Sequence, residues 1–114
     1  MIEIDLFSHL ETEVQLSNGR VYPQILPLKC ELPALVYTIV NDRDLISQNL
    51  GRYGSVVRIQ IDCYAKGYLE AKRLKDEVKD ALYSFKNRPL ELNSRDIPDD
   101  SKLYRQLIDL KLNT

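Results

Sequence analysis

Between Val57 and Cys63 apolar and polar residues alternate without a break, and a few residues later the period changes to that of an α-helix. Val57, Ile59, Ile61 and Cys63 fall on one side and Arg58, Gln60 and Asp62 on the other, which predicts a half-buried strand over Ser55 to Tyr64. After Ala65-Lys66-Gly67, the residues Ala71, Leu74, Val78, Ala81, Leu82 and Phe85 form one stripe, with Lys72, Lys75, Asp76, Lys79 and Asp80 off it. That spacing predicts a helix from Tyr68 to about Lys86. A strand and a helix with one apolar side each must cover one another, so the chain is constrained to a layered arrangement of helices on a sheet.

The remaining segments fit around that pair. Ile2, Leu6, Leu10 and Val14 recur every four residues, with Phe7 widening the stripe, and predict an amphipathic helix over Ile2 to Leu16 stopped by Asn18-Gly19. Pro23, Pro27 and Pro33 make Val21 to Pro33 an extended connector or sheet edge, because each lacks an amide proton. Ala34 to Asn41 is rich in β-branched and aromatic residues, as in a strand covered on both faces or at an interface. Asp42 to Gly54 is polar and carries two glycines, which reads as a long hairpin loop, either functional or ordered on binding. Asn87-Arg88-Pro89 and Pro98-Asp99-Asp100 are turns, with a short strand between them interrupted near Ser94. The end of the chain alternates again, Tyr104, Gln106, Ile108, Leu110 and Leu112 sharing one side. The expected fold class is α+β, two helices packed on one face of a mainly antiparallel β-sheet, in a single domain spanning 1–114.

Composition narrows the functional classes. Sixteen basic residues stand against seventeen acidic ones, with a pI near 5.8, so the basic excess of a domain that grips nucleic acid by its phosphates is missing. Met1 to Leu10 holds Glu3 and Asp5 and lacks a basic start followed by an apolar run, so no secretory leader is expected there. The longest mostly apolar stretch, Leu32 to Val40, is far short of the ~20 residues of a membrane helix. No membrane partner and folding in the cytoplasm of the producing cell are therefore expected.

No pattern for catalysis or cofactor binding emerges. His9 is the lone histidine, with no nucleophile identifiable beside it, and reads as structural or surface-exposed. Asp96, Asp99 and Asp100 lack the EF-hand spacing and are split by Pro98, so a solvated turn is the reading and no metal is expected. Gly51-Arg52-Tyr53-Gly54 leads into a strand, without the helix N-terminus a phosphate cradle needs. Cys63 falls on the apolar side of its strand, while Cys30 sits between Lys29 and Glu31 with no activating base; neither is a candidate nucleophile, and two cysteines make no disulfide framework. Seven tyrosines against two phenylalanines lean toward an interaction protein, although Tyr22, Tyr37, Tyr64 and Tyr104 can equally line the rim of the core with hydroxyls in water.

Asn18-Gly19-Arg20-Val21-Tyr22-Pro23, then Leu32-Pro33-Ala34-Leu35-Val36-Tyr37, then Val57 to Ala65 leading into Tyr68, Glu70, Ala71 and Leu74, occur in this order over roughly Asn18 to Phe85. In that combination the chain resembles the tail-completion, or tail-terminator, proteins of long-tailed bacteriophages. The resemblance implies a non-enzymatic structural subunit of a phage or prophage virion. Such subunits form a ring, commonly hexameric, at the head-proximal end of the tail tube. The ring ends tube polymerisation and joins the tail to the head connector or stopper protein, with DNA only passing through its channel. The Pro-rich connector Gln24 to Glu31 and the acidic turn Asp96 to Asp100 depart from the family pattern. A connector or stopper role and a monomeric adaptor domain are the alternatives.

A closed ring needs two different patches on each copy. The expected subunit interface is the outer side of the strand, Arg58, Gln60 and Asp62, with Arg73 and Lys79 on the second helix. The expected docking loop toward the tube or connector is Arg43, Asp44, Leu45, Gln48, Arg52 and Tyr53, where Arg43 and Arg52 could alternatively face the channel.

Overall fold

The structure is a computed structural model that describes residues 2–48, 51–87, 89–98 and 103–113, the side chains of Ser47, Arg52 and Tyr53 excepted. One strand organises it. β3 (Gly51–Ala65) lies in the middle of a five-stranded sheet and sends Val57, Ile59, Ile61, Cys63 and Ala65 to one side, all but excluded from solvent. Over that side lie helix α2 (Tyr68–Tyr83), with Ala71, Leu74, Val78, Ala81 and Leu82 turned inward, and helix α1 (Ile2–Glu13), with Leu6 and Leu10. Leu35 and the inward residues of the last strand, Ile108, Leu110 and Leu112, complete the core.

The sheet order is β1-β2-β3-β5-β4, with β1 (Val21–Pro23), β2 (Ala34–Ser47), β4 (Pro89–Ile97) and β5 (Tyr104–Asn113). All neighbours are antiparallel except β1 and β2, which run parallel with Val21 opposite Leu35 and Pro23 opposite Tyr37. The proline-bearing segment thus supplies a three-residue edge and no more, as its missing amide protons require. The α+β class with both helices on one face of a mainly antiparallel sheet is the architecture found.

Three elements differ from the sequence reading. The first helix stops at Glu13, because the backbone N–H groups of Gln15 and Leu16 donate to the Glu77 carboxylate on α2 instead of to the preceding helical turn. Asn18 and Gly19, at φ of 49° and 79°, then reverse the chain into β1. Asp42 to Gly54 is not a long loop. β2 and β3 continue as a paired hairpin out to Ser47 opposite Gly51, with irregularities between Ile39 and Asn41 and between Leu45 and Ile46. This segment is polar because both its faces are solvated. The backbone ladder, not a core, holds it extended. Finally, β4 runs unbroken through Ser94, which sits opposite Ile108.

The hairpin carries the molecule to 52 × 27 × 23 Å and its radius of gyration to 14.9 Å, against about 13 Å for a compact domain of this size. β5 pairs with β3 only from Val56 onward, so the part of the hairpin beyond it projects as a two-stranded arm.

Leu74, fully buried at the α2–sheet contact, should be the costliest side chain to truncate. Leu74→Ala is expected to lose about 2–5 kcal/mol of unfolding free energy in urea titrations. The exposed Leu69→Ala on the same helix should change it by less than about 0.5 kcal/mol.

Candidate assembly surfaces

The sheet face opposite the helices has no element over it among the described residues, and three ion pairs cross between its strands. Arg58 and Asp109 form a two-point contact, Nη2 to Oδ2 at 2.6 Å and Nε to Oδ1 at 3.1 Å. Arg105 Nε donates to Asp62 Oδ1 at 2.9 Å, and Lys111 Nζ lies 3.2 Å from Glu91 Oε2. Each ion pair bridges neighbouring strands, so the residues hold the sheet together as cross-strand pairs. The Arg58 guanidinium beside Asp109 holds that carboxyl below its ordinary value, and Asp109 in turn raises the guanidinium. Arg105 also lies over the Tyr64 ring, 5.7 Å from its centre.

On the helix side, Asp96 of β4 accepts from Lys72 Nζ at 2.9 Å and from Tyr68 Oη at 2.8 Å, tying the start of α2 to the outermost strand. Lys72 chiefly, then Tyr68 and Gln106, lower the Asp96 carboxyl to about 2. At the other end of α2, His9 Nε2 lies 2.6 Å from the Ala81 carbonyl and 3.2 Å from Ser84 Oγ, with its ring 5.1 Å from that of Phe85. The histidine therefore fastens α1 to the C-terminus of α2, a structural role. Lys86 and Asp5 add an ion pair at 2.7 Å between the same two segments.

The residues singled out from sequence fall into three separate places. Arg43, Asp44 and Gln48 are exposed on the arm, and Leu45 is half-buried; the side chains of Arg52 and Tyr53 lie outside the described ones. Asp44 is already engaged, accepting from Ser55 Oγ at 3.2 Å. Arg58 and Gln60 are on the uncovered sheet face, but Asp62 is 7% exposed under Arg105 and is not part of an outer surface as expected. Arg73 is exposed and Lys79 half-buried on α2, in the opposite layer. Not legible from sequence were the outer edge of β4 and the exposure of Ile25 (75%) and Leu28 (96%) in the proline-bearing connector. The first needs the strand order, which no local pattern encodes.

Among the described residues no three or more His, Cys, Asp or Glu side chains converge as a metal site, and no helix is long and apolar enough to cross a membrane. Cys63 is fully buried, and burial pushes its thiol far above the ordinary value, so it stays protonated. Cys30 Sγ donates to the Glu31 carbonyl at 3.1 Å. The surface depressions among the described residues lie on the paired charges of the sheet, beside Tyr68, Asp96 and Tyr104, and at the α1–α2 end, where His9 Nε2 and Ser84 Oγ both lie against the Ala81 carbonyl, at 2.6 and 2.9 Å.

Fold and surface together define a small α+β protein with an apolar core under its helices, cross-strand ion pairs on its bare sheet face and a projecting arm. The family profile described as "Tail completion protein gp17" matches residues 4–111, and the chain belongs to that family. By that match it is a structural protein of a phage-type tail. Among solved structures it is similar to a chain of the "Virion of native gene transfer agent (GTA) particle", with a TM-score of 0.61 and 19% identity over 95% of this chain and 90% of that one, which shows the shared fold. No curated protein matches it in sequence.

The Asp96 contact sets a pH dependence. Its folded carboxyl titrates below the unfolded value of 3.8, so the contact favours the folded state fully above about pH 4 and is lost as pH falls toward 2. In Lys72→Met, carbon-detected NMR titration should show the Asp96 carboxyl moving up toward its ordinary value. An unchanged titration would contradict the assignment of Lys72 as the main cause.

Proposed function

We propose that this protein closes into a ring, hexameric as the family resemblance implies, at the head-proximal end of the tail tube. There it ends tube polymerisation and presents a surface to the head connector or stopper. The chain acts as one domain and is assembled in the host cytoplasm, with DNA only passing through the open channel. The observation that carries this reading is the family match across residues 4–111. The architecture supports it: a rigid two-layer core for subunit packing, and an arm that stands clear of the core and can reach a second component.

The arm is the docking element in this reading. Its tip presents Gln48, with Arg43 and Leu45 nearer the root, to the tube or the connector. The near balance of charge suits a ring that DNA slides through without being held.

Purified protein added to elongating tail tubes should stop their growth and mark one end in negative-stain images. Deleting Leu45 to Arg52 should leave the core folded, with a thermal midpoint close to that of the intact protein, but abolish tube capping and head joining. Head joining that survives the deletion would rule out the arm as the docking element.

A further inference from the structure

The sheet is open at both sides. β1 covers β2 only from Leu35 to Tyr37, the last bond running from Gln24 N–H to the Tyr37 carbonyl at 2.8 Å. Pro23 has no amide proton, and Gln24, at a φ of 65°, turns the chain away. From Thr38 to Ser47 no strand lies beside the outer edge of β2 among the described residues, and on the far side β4 is bonded only through β5.

Ladder alternation identifies the unpaired backbone groups. Leu35 and Tyr37 bond outward to β1, so their partners on β3, Cys63 and Ile61, bond to Gln106 and Ile108 of β5. Leu110 bonds to β3 in the same way through Ile59. The β4 residues opposite these three, Asp96, Ser94 and Leu92, consequently aim N–H and C=O into solvent. On β2, Ile39 and, beyond the irregularity, Asp42 do the same, because their partners Ile59 and Val57 bond to β5.

Neither edge is guarded by proline along its length, and among their exposed charges are Arg95 on β4 and Asp42 and Arg43 on β2. β4 has no proline after Pro89, and its carboxylates Glu91 and Asp96 are drawn back onto the chain's own Lys111 and Lys72. Each edge also carries an exposed apolar side chain, Leu90 on β4 and Ile46 on β2. Three successive antiparallel pairings separate β2 from β4, so the two run in opposite directions. An unflipped second copy set beside the first therefore lays its β2 antiparallel against β4.

We propose that the outer edge of β4 in one copy pairs with the Thr38–Ser47 edge of β2 in the next, so that each arm is the seat of a neighbouring subunit. The inference rests on the ring reading above and specifies its contact. β1 acts as a stop that places the incoming strand beyond Tyr37, toward the arm. Two different edges of one chain meet, so the contact is heterologous and propagates from copy to copy until the ring closes.

Ser94→Pro and Asp42→Pro each delete one outward N–H while leaving the inner ladder bonds in place. By light scattering, the unmodified protein and Ser94→Ala are expected to give the same multi-subunit species. Each proline variant alone should be monomeric with unchanged circular dichroism. An equimolar mixture of the two, which retains one intact β4 edge and one intact β2 edge, should give a species of twice the monomer mass. A proline variant that assembles like the unmodified protein overturns the edge pairing and leaves the ring standing. Unmodified protein that stays monomeric both alone and on tail tubes overturns both. Hydrogen exchange of the unmodified assembly tests the contact without substitution. The amides of Leu92, Ser94, Asp96 and Asp42 should slow at least about tenfold relative to monomer, and unchanged exchange overturns the pairing.

Discussion

Every other element takes its position from the central strand β3. Its two edges bond β2 and β5, and one of its faces carries Val57, Ile59, Ile61 and Cys63 into the core beneath α2, which α1 completes by packing on α2 and β1. Burying such side chains is worth roughly 1.5–3 kcal/mol each, and a one-residue slip would exchange them all for Arg58, Gln60 and Asp62. Register is therefore fixed at the centre first. The opposite face inherits it, since the Arg58–Asp109 and Asp62–Arg105 pairs exist only when β3 and β5 are aligned with Gln60 opposite Asp109 and Asp62 opposite Leu107.

Two kinds of cohesion divide the molecule. Under the helices, contact is apolar and water is excluded. On the bare face and along the arm, cross-strand charges and backbone hydrogen bonds hold the strands. Partly exposed ion pairs of this type are individually worth about 0–1 kcal/mol, so they contribute alignment more than stability. The arm accordingly depends on the core at its root, and a protein of the tail-completion family obtains from this a stable base and an extension whose surface remains available.

Periodicity made β3, α2 and β5 legible in the sequence, because each has one wet and one dry side. It placed the two helices correctly on one face for the same reason. It failed where folding does not depend on an apolar stripe. The arm reads as a loop because Asn41 to Asp44 are polar, yet a two-stranded ladder has no dry side to advertise. α1 reads too long because its end is set by Glu77, some sixty residues away on another helix. The candidate surfaces were legible as residues but not as geometry: Arg58 lies outward as alternation requires, whereas its partner Asp109 is 51 positions away. Asp62 alternates as a surface residue should and is nevertheless covered by Arg105. The β4 edge leaves no trace in any local pattern, since an edge is a property of strand order.

The projection of the hairpin has a mechanical side. The arm from Asp44 to Ser47 extends roughly 13 Å past the last strand that braces it, at about 3.3 Å per residue. An angular error of about 10° in seating the core, set at that radius, displaces the tip by about 2 Å, a distance at which a hydrogen bond is lost. A long lever magnifies misorientation as well as reach. A subunit of this shape can thus act as a gauge: contacts at the tip form only when the core is correctly placed, and a misplaced copy is penalised at the point farthest from its error.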